Sequence, residues 1–207
     1  MKGRTIYIIR HGKIISDEHV RRYIGHIDIP LSDEGVIQAQ VIGQALSKKN
    51  ITSIFCSDLL RSVATARIIS LSTNVKPLVR TDIREISMGE WEGKSFQEIA
   101  ENYPEEYAKR GKNIADYRVP GGESFSEGQA RVVSAFADML AVTTGDIMIV
   151  GHAGINRLLL CSVLGMPVSN IFHIGQDYGC INMLAQSGDH YCVEVLNASV
   201  DYQHRIL

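Results

Sequence analysis

The chain has 207 residues, with 21 Lys or Arg against 23 Asp or Glu, so its formal net charge is −2. The hydrophobic share is 45% and the charged share 21%, which is typical of a globular protein and excludes disordered and low-complexity classes. Because a domain commonly has about 100–200 residues, we expect a single domain over 1–207. The near-zero charge balance argues against a nucleic-acid-coating surface, but a small pocket for an anion needs few charges.

Neither a targeting segment nor a membrane span is predicted. The apolar run at 6–9 ends at Arg10, whereas a signal peptide needs about 7–15 apolar residues and a membrane helix about 20. We therefore expect a cytoplasmic protein. The cysteines form no Cys-x-x-Cys pair, so neither a zinc site nor a redox pair is predicted. Their positions are Cys56, Cys161, Cys180 and Cys192.

The chain begins with a strand, a loop and a helix. Residues 5–9 are β-branched or aromatic and predict a buried strand that ends at Arg10 and His11. The polar stretch 13–28 shows neither the apolar spacing of a helix nor the alternation of a strand, and it predicts a loop. Ser32 is the predicted N-cap of the first helix, since two acids follow it in the first turn. The apolar face of this helix has 3, 4 and 3 spacing: Val36, Ala39, Gly43 and Leu46.

A second strand is predicted at 53–56, and Ser57 and Asp58 are expected to cap a helix that runs to about Leu71. A third strand is predicted at 76–80. The segment 82–122 is the least regular part of the chain, with short helical patterns near 96–100 and 105–110. We interpret its part at about 86–122 as a small lobe inserted over the top of the sheet.

The last third returns to regular patterns. Ser124 and Glu127 have capping-box spacing, and a helix with an apolar face follows them. A strand is predicted at 146–150, which a helix follows. Two strands at 181–185 and 191–196, with a turn between them, complete the prediction.

This alternation of strands and helices predicts an α/β fold, a three-layer α/β/α sandwich with a mostly parallel sheet and helices on both faces. Ligands of such sheets bind beyond the carboxyl ends of the strands. Three predicted strands end there in polar residues: Arg10 and His11, Ser57 and Asp58 with Arg61 one turn later, and Gly151 and His152.

The chemistry of these strand ends favours an anion over a metal. Neutral imidazole is a competent nucleophile or base near pH 7, and it also ligates metals. Instead of further metal ligands, these strand ends offer mainly arginines, whose charge repels a metal ion. The arginine fork matches the oxygens of a phosphate instead. We therefore predict neither a metal site nor a cofactor.

Six sequence blocks resemble the histidine phosphatase superfamily, which includes the cofactor-dependent phosphoglycerate mutases. They cover about residues 5–165 in the order and at spacing similar to those of the family. The blocks are RHG at 10–12, YIGHIDIPLSDEG at 23–35, CSDLLRSVATA at 56–66, REISMGEWEG at 84–93, PGGES at 120–124 and VGHAG at 150–154.

The resemblance implies a role for each matching residue. His11 would attack phosphorus and become a phosphohistidine, which divides one displacement into two easier ones. Glu85 would protonate the leaving oxygen and later deprotonate water, so we expect a raised pKa for Glu85 or a mildly acidic optimum. Other residues would contact the ligand. The phosphate-binding set is Arg10, Arg61 and His152, and the substrate-binding set is Gly25 and Ala153.

The sequence leaves two details of the site open. Glu90 and Glu92 compete with Glu85 for the acid role because the segment is irregular, and Glu85 is preferred for its place before Gly-x-Trp-x-Gly. Where the family often has Asn, this chain has Asp17, which would repel phosphate if it faced the site.

Three functions fit these residues. The first is a metal-independent phosphomonoester hydrolase for a small phosphorylated metabolite, either α-ribazole phosphate or a broad range of esters. The second is a cofactor-dependent phosphoglycerate mutase, and the third a non-catalytic module that binds a phosphorylated ligand. The short chain resembles the hydrolases more than the mutases. We expect no nucleic-acid or membrane partner, and a monomer or homodimer.

Overall fold

The computed structural model describes residues 3–17 and 19–199, and the other positions of the predicted 1–207 domain lie outside this part. Its strands form one sheet in the order β3-β2-β4-β1-β5-β6. The first four in this order are parallel to one another, and β5, which is antiparallel to β1, forms an antiparallel hairpin with β6 at one edge. The bounds are Arg4–Arg10 for β1, Ile51–Cys56 for β2, Pro77–Val79 for β3, Asp146–Gly151 for β4, Ile181–Ser187 for β5 and His190–Ala198 for β6.

Helices cover both faces of the sheet. Ile6 and Ile8 of β1 lie in a core cluster with residues of α5 and α6, whereas Ile9 lies in a second cluster with residues of α1 and α2. Successive side chains of a strand point to opposite faces, which explains the uninterrupted apolar run of β1. The three-layer sandwich and mostly parallel sheet are confirmed. The helices are α1 Asp33–Leu46, α2 Leu60–Thr73, α3 Phe96–Asn102, α4 Pro104–Lys112, α5 Phe125–Ala141 and α6 Ala153–Val163.

Two of the three predicted caps are present. Ser32 accepts the N–H of Gly35, and Ser124 and Glu127 form a capping box at the start of α5. The expected cap of α2 at Ser57 or Asp58 is wrong, because the N-cap is Leu59 and no side chain caps the helix from that position. Both polar side chains have other partners described below.

The segment between β3 and α5 contains α3 and α4, where the short helical patterns predicted them, and two short 3-10 helices. Trp91, Ile99 and Val119 of this segment form a small separate core with Tyr23, which precedes α1 in the chain, and we call it the lobe core. Trp91 is therefore a packing residue. Within the described residues, no helix is both long and apolar enough to cross a membrane.

Candidate active site

His11 lies directly after β1, and its backbone N–H donates to the Gly151 carbonyl at the end of β4, 3.1 Å away. Its Nδ1 lies 2.8 Å from the Gly12 carbonyl oxygen, which only accepts, so Nδ1 carries the proton. The lone pair is therefore on Nε2. Burial lowers the pKa of His11 well below its ordinary value, and the charges of Arg10 and Arg61 lower it further. The ring is thus neutral at pH 7 with Nε2 free to act as a nucleophile.

His152 is buried at the end of β4, and its ring centroid is 5.1 Å from that of His11. Nε of Arg61 is a donor and lies 3.3 Å from Nδ1 of His152, so Nδ1 accepts. Nε2 then donates to Oγ of Ser57 at 2.6 Å, which is why Ser57 does not cap α2. Burial is the largest cause that lowers the pKa of His152 well below its ordinary value.

Arg61, in the first turn of α2, is only 1% exposed. Its Nη1 donates to the Ile27 carbonyl at 2.7 Å, and its Nη2 donates to the Gly25 carbonyl at 2.6 Å. No carboxylate of the described residues lies within ion-pairing distance of it. Burial lowers the pKa of its guanidinium. A buried cation held by carbonyl oxygens and lacking a counter-ion favours the arrival of an anion.

Arg10 ends β1 and contributes a second cation. Its Nη1 donates to the Gln176 carbonyl at 2.6 Å, and its guanidinium lies 3.6 Å from the centroid of the Tyr178 ring. Its Nε is buried without a hydrogen-bond partner. A buried donor without a partner costs about 1–3 kcal/mol, and a phosphate oxygen would satisfy it.

The residue that holds Arg10 belongs to a buried amide network that the sequence did not predict. Oε1 of Gln176 accepts from Nδ2 of Asn156 at 3.2 Å, and its Nε2 donates to Oδ1 of Asn182 at 2.8 Å. Asn182 also donates to the Ile8 carbonyl in β1. The available signal was an amide inside two otherwise apolar runs, in α6 and in β5.

Glu85 is 8% exposed and lies against the N-terminus of α6. Its Oε2 accepts the N–H of Gly154 at 3.0 Å, and its Oε1 accepts those of Ile155 and Ile86 at 3.1 and 3.0 Å. The N-cap residue of α6, His152, makes no capping bond with its own side chain. Glu85 therefore takes the place of a cap, which fixes its carboxyl group beside His152.

The two competing acids are not placed for proton transfer. The carboxylate of Glu92 accepts the N–H groups of Gly25, His26 and Met88 at 3.0, 2.6 and 3.1 Å, so it ties the loop before α1 to the segment between β3 and α5. Glu90 is exposed at the surface. A Cβ at Gly25 would collide with the Ile86 carbonyl and with Glu92, so close packing explains this glycine.

Asp17 lies at the surface. It is exposed, and its Oδ1 accepts the N–H of His19 at 2.9 Å within its own turn. The negative charge of Asp58 is balanced by Arg84, because the two side chains form an ion pair that lowers the pKa of the Asp58 carboxyl group. Neither carboxylate opposes the positive charge around His11.

His11, His152, Arg10 and Arg61 form what we call the histidine–arginine cluster, and a cavity of about 340 Å³ adjoins it. Its lining includes Glu85 and Ala153, the second predicted substrate contact. His11 and the phosphate-binding candidates are not in that lining, so the histidine–arginine cluster and the cavity meet at Glu85. The predicted catalytic and phosphate-binding residues are thus brought together, with room for a leaving group on the Glu85 side.

Two proteins of known name are similar to this chain in sequence. Phosphoserine phosphatase 1 of Hydrogenobacter thermophilus is 30% identical over 168 residues, which cover 79% of this chain and 80% of that protein. Phosphoglycerate mutase-like protein 4 of Arabidopsis thaliana is 34% identical over 158 residues, 74% of this chain and 68% of that protein.

A solved structure and a family model agree with these relatives. The α-ribazole phosphatase of Shigella flexneri has a TM-score of 0.86 at 26% identity, with 94% of this chain and 96% of that chain covered. The model of the histidine phosphatase superfamily (branch 1) matches residues 6–199. The chain therefore belongs to the histidine phosphatase superfamily, as its motifs indicated.

Proposed function

We propose that this protein is a metal-independent phosphomonoester hydrolase that acts through a phosphohistidine on His11. The observation that carries the proposal is the state of His11: Nδ1 is bound to the Gly12 carbonyl, so the Nε2 lone pair is free between two arginines. Neutral imidazole attacks phosphorus, whereas imidazolium does not. The relatives named phosphatases support hydrolysis as the outcome.

In the first step Nε2 of His11 attacks in line, so a P–N bond forms as the ester P–O bond breaks. The leaving oxygen takes a proton from the carboxyl group of Glu85. Arg10 and Arg61 stabilise the negative charge on the equatorial phosphoryl oxygens, with His152 beside them. Because two arginines supply this charge, the step needs no metal ion.

In the second step water attacks phosphorus and the P–N bond breaks. Glu85, now a carboxylate, takes the proton of the water, and inorganic phosphate leaves. Both steps use the same carboxyl group, which its three backbone donors keep in place.

The first test is release of phosphate from p-nitrophenyl phosphate in the presence of EDTA. We expect turnover in the unmodified protein and its loss in His11→Ala. Full activity of His11→Ala, or a strict metal requirement, contradicts the mechanism. If phosphate binds to the unmodified protein but no ester is turned over, the non-catalytic binding module is the correct function.

A phosphoglycerate mutase is the second candidate, because the Arabidopsis relative is named for its likeness to that enzyme. A mutase returns the phosphoryl group to a bound sugar acid, whereas a hydrolase passes it to water. Incubation with phosphoglycerate separates the two: transfer between the two hydroxyl positions indicates a mutase, and release of inorganic phosphate a hydrolase.

The substrate we propose is a small phosphorylated metabolite. α-Ribazole phosphate is a candidate because the Shigella neighbour is named for it, and phosphoserine is another because of the Hydrogenobacter relative. A panel of such esters without added metal tests the choice. Similar kcat/KM values across the panel would indicate broad specificity instead.

A further inference from the structure

The cavity beside Glu85 is rich in cations. Arg21, Arg22, Arg110 and Arg157 line it, and Glu85 is its sole acidic lining residue among the described residues. Its volume of about 340 Å³ suits a small metabolite. The positive charge of this cavity is separate from that of Arg10 and Arg61, which do not line it.

Arg110 is held in this cavity by aromatic rings rather than by an acid. Its guanidinium is 5.5 Å from the ring centroids of both Tyr23 and Phe125. Within the described residues it has no hydrogen bond and no ion pair. Burial lowers the pKa of its guanidinium. The rings orient the cation and leave its N–H donors available to the cavity.

Two neighbours repeat this arrangement. The guanidinium of Arg157 lies 5.8 Å from the Phe172 ring centroid, and its Nε donates to the Ile174 carbonyl at 2.7 Å. The guanidinium of Arg21 lies 5.1 Å from the ring centroid of Phe96. Neither has a carboxylate within ion-pairing distance in the described part of the chain. Arg22 differs, because it pairs with Glu98 at 3.6 Å.

Arg110 and Arg157 are partly buried and have no carboxylate of the described residues within ion-pairing distance, whereas Arg21 and Arg22 are exposed. Partly buried cations of this kind are costly unless a ligand supplies the missing charge. The reacting phosphate does not account for them, since Arg10, Arg61 and His11 surround its place. We propose that the cavity binds the alcohol part of a phosphomonoester that carries a second anionic group, a carboxylate or a further phosphate, held chiefly by Arg110 and Arg157. This inference rests on the proposed hydrolase function and names its substrate class.

Matched esters test the inference. Phosphoglycolate differs from ethyl phosphate by a carboxylate in place of a methyl group, and O-phosphoserine differs from O-phosphoethanolamine by a carboxylate. Ethylene glycol bisphosphate tests a second phosphate. We expect kcat/KM to be about tenfold or more higher for the acidic member of a pair, the size of one charge-assisted hydrogen bond. The acidic ester with the larger increase in kcat/KM over its counterpart without the second acidic group shows whether that group is a carboxylate or a phosphate.

Arg110→Gln and, separately, Arg157→Gln should each reduce this preference about tenfold. Lys112→Gln is the matched control, because Lys112 is an exposed cation at the end of the same helix and does not line the cavity. Equal kcat/KM for both members in the unmodified protein overturns the inference. So does a preference that survives in both arginine variants, with melting temperatures showing that each variant is folded.

Binding separates this inference from the proposed function. Calorimetric titration of His11→Ala with phosphoglycolate and with ethyl phosphate measures the preference without turnover. Tighter binding of phosphoglycolate supports the inference even if no ester is hydrolysed. Equal affinities overturn it even if the hydrolase mechanism is correct.

Discussion

Glu85 and Glu92 lie seven positions apart in one irregular segment, and their carboxyl groups have different surroundings. Backbone N–H groups are bonded to both carboxylates, but Glu85 lines the cavity beside the start of α6, whereas Glu92 is not in the lining of that cavity. Only Glu85 is placed to exchange a proton with a ligand. Substitution of Glu85 should therefore lower activity, whereas substitution of Glu92 should lower stability.

For Glu85→Gln we predict a fall in kcat/KM of about 10²–10⁴-fold on an alkyl phosphate, whose leaving oxygen must be protonated. The loss of kcat/KM on p-nitrophenyl phosphate should be much smaller, because p-nitrophenolate leaves without a proton and kcat/KM does not include the later attack of water on the phosphohistidine. Steady-state kinetics on the two esters measure the difference. Glu92→Gln is the control, and we expect it to lower stability with equal effects on both esters. Equal losses in Glu85→Gln would contradict the acid role.

The segment between a 3-10 helix at Val168–His173 and β5 is the element that positions Arg10. Gln176 and Tyr178 hold the guanidinium from two sides, and the amide network behind Gln176 fixes this segment to β1. A ring packed against a guanidinium is worth about 0.5–2 kcal/mol. Tyr178 is therefore a positioning residue for the phosphate-binding arginine.

We predict that Tyr178→Leu weakens inhibition by inorganic phosphate several-fold, while Tyr178→Phe stays close to the unmodified protein because the ring remains. Competitive inhibition constants measure this effect, and the change should appear in KM more than in kcat. Equal inhibition constants for the Leu and Phe variants would show that the ring does not position Arg10.

Elements with a local signal could be predicted from the sequence. The capping box at Ser124 and the β-branched run of β1 are examples, since neighbouring residues determine both. The start of α2 was missed because its first N–H, at Leu60, is bonded by Asp28, 32 residues earlier in the chain. Contacts of that kind have no periodic pattern in the sequence.

The same distinction applies to the site. His11 and His152 follow neighbouring parallel strands, so their meeting could be predicted from the strand ends. The partner of Arg10, Gln176, comes 166 residues later in an irregular segment, and no local pattern links the two. The arginines that line the cavity beside Glu85 likewise come from distant parts of the chain, namely the loop before α1, α4 and α6.

At the scale of the whole molecule, the buried histidines link folding to pH. The pKa of both His11 and His152 is well below 6.5 in the folded chain, while an unfolded histidine titrates near 6.5. Between these values the unfolded chain binds protons that the folded chain does not. The contribution of these two histidines to the free energy of unfolding therefore falls as the pH drops through about 6.5 and is constant above it.

We predict that this fall amounts to at most about 1.4 kcal/mol per pH unit for each histidine, and that His152→Gln reduces the slope. Urea unfolding between about pH 8 and about pH 5.5 measures it. His190→Gln is the control because His190 is exposed. An unchanged slope in His152→Gln would contradict the link between burial and stability.

In the proposed mechanism His11 carries the phosphoryl group between the two chemical steps. Rapid quenching of the turning-over enzyme in alkali, followed by peptide mapping for a base-stable, acid-labile phosphoryl group, tests this directly. We expect that group on the peptide containing His11 and none in His11→Ala. Turnover without any such adduct, or an adduct on another residue, would contradict it.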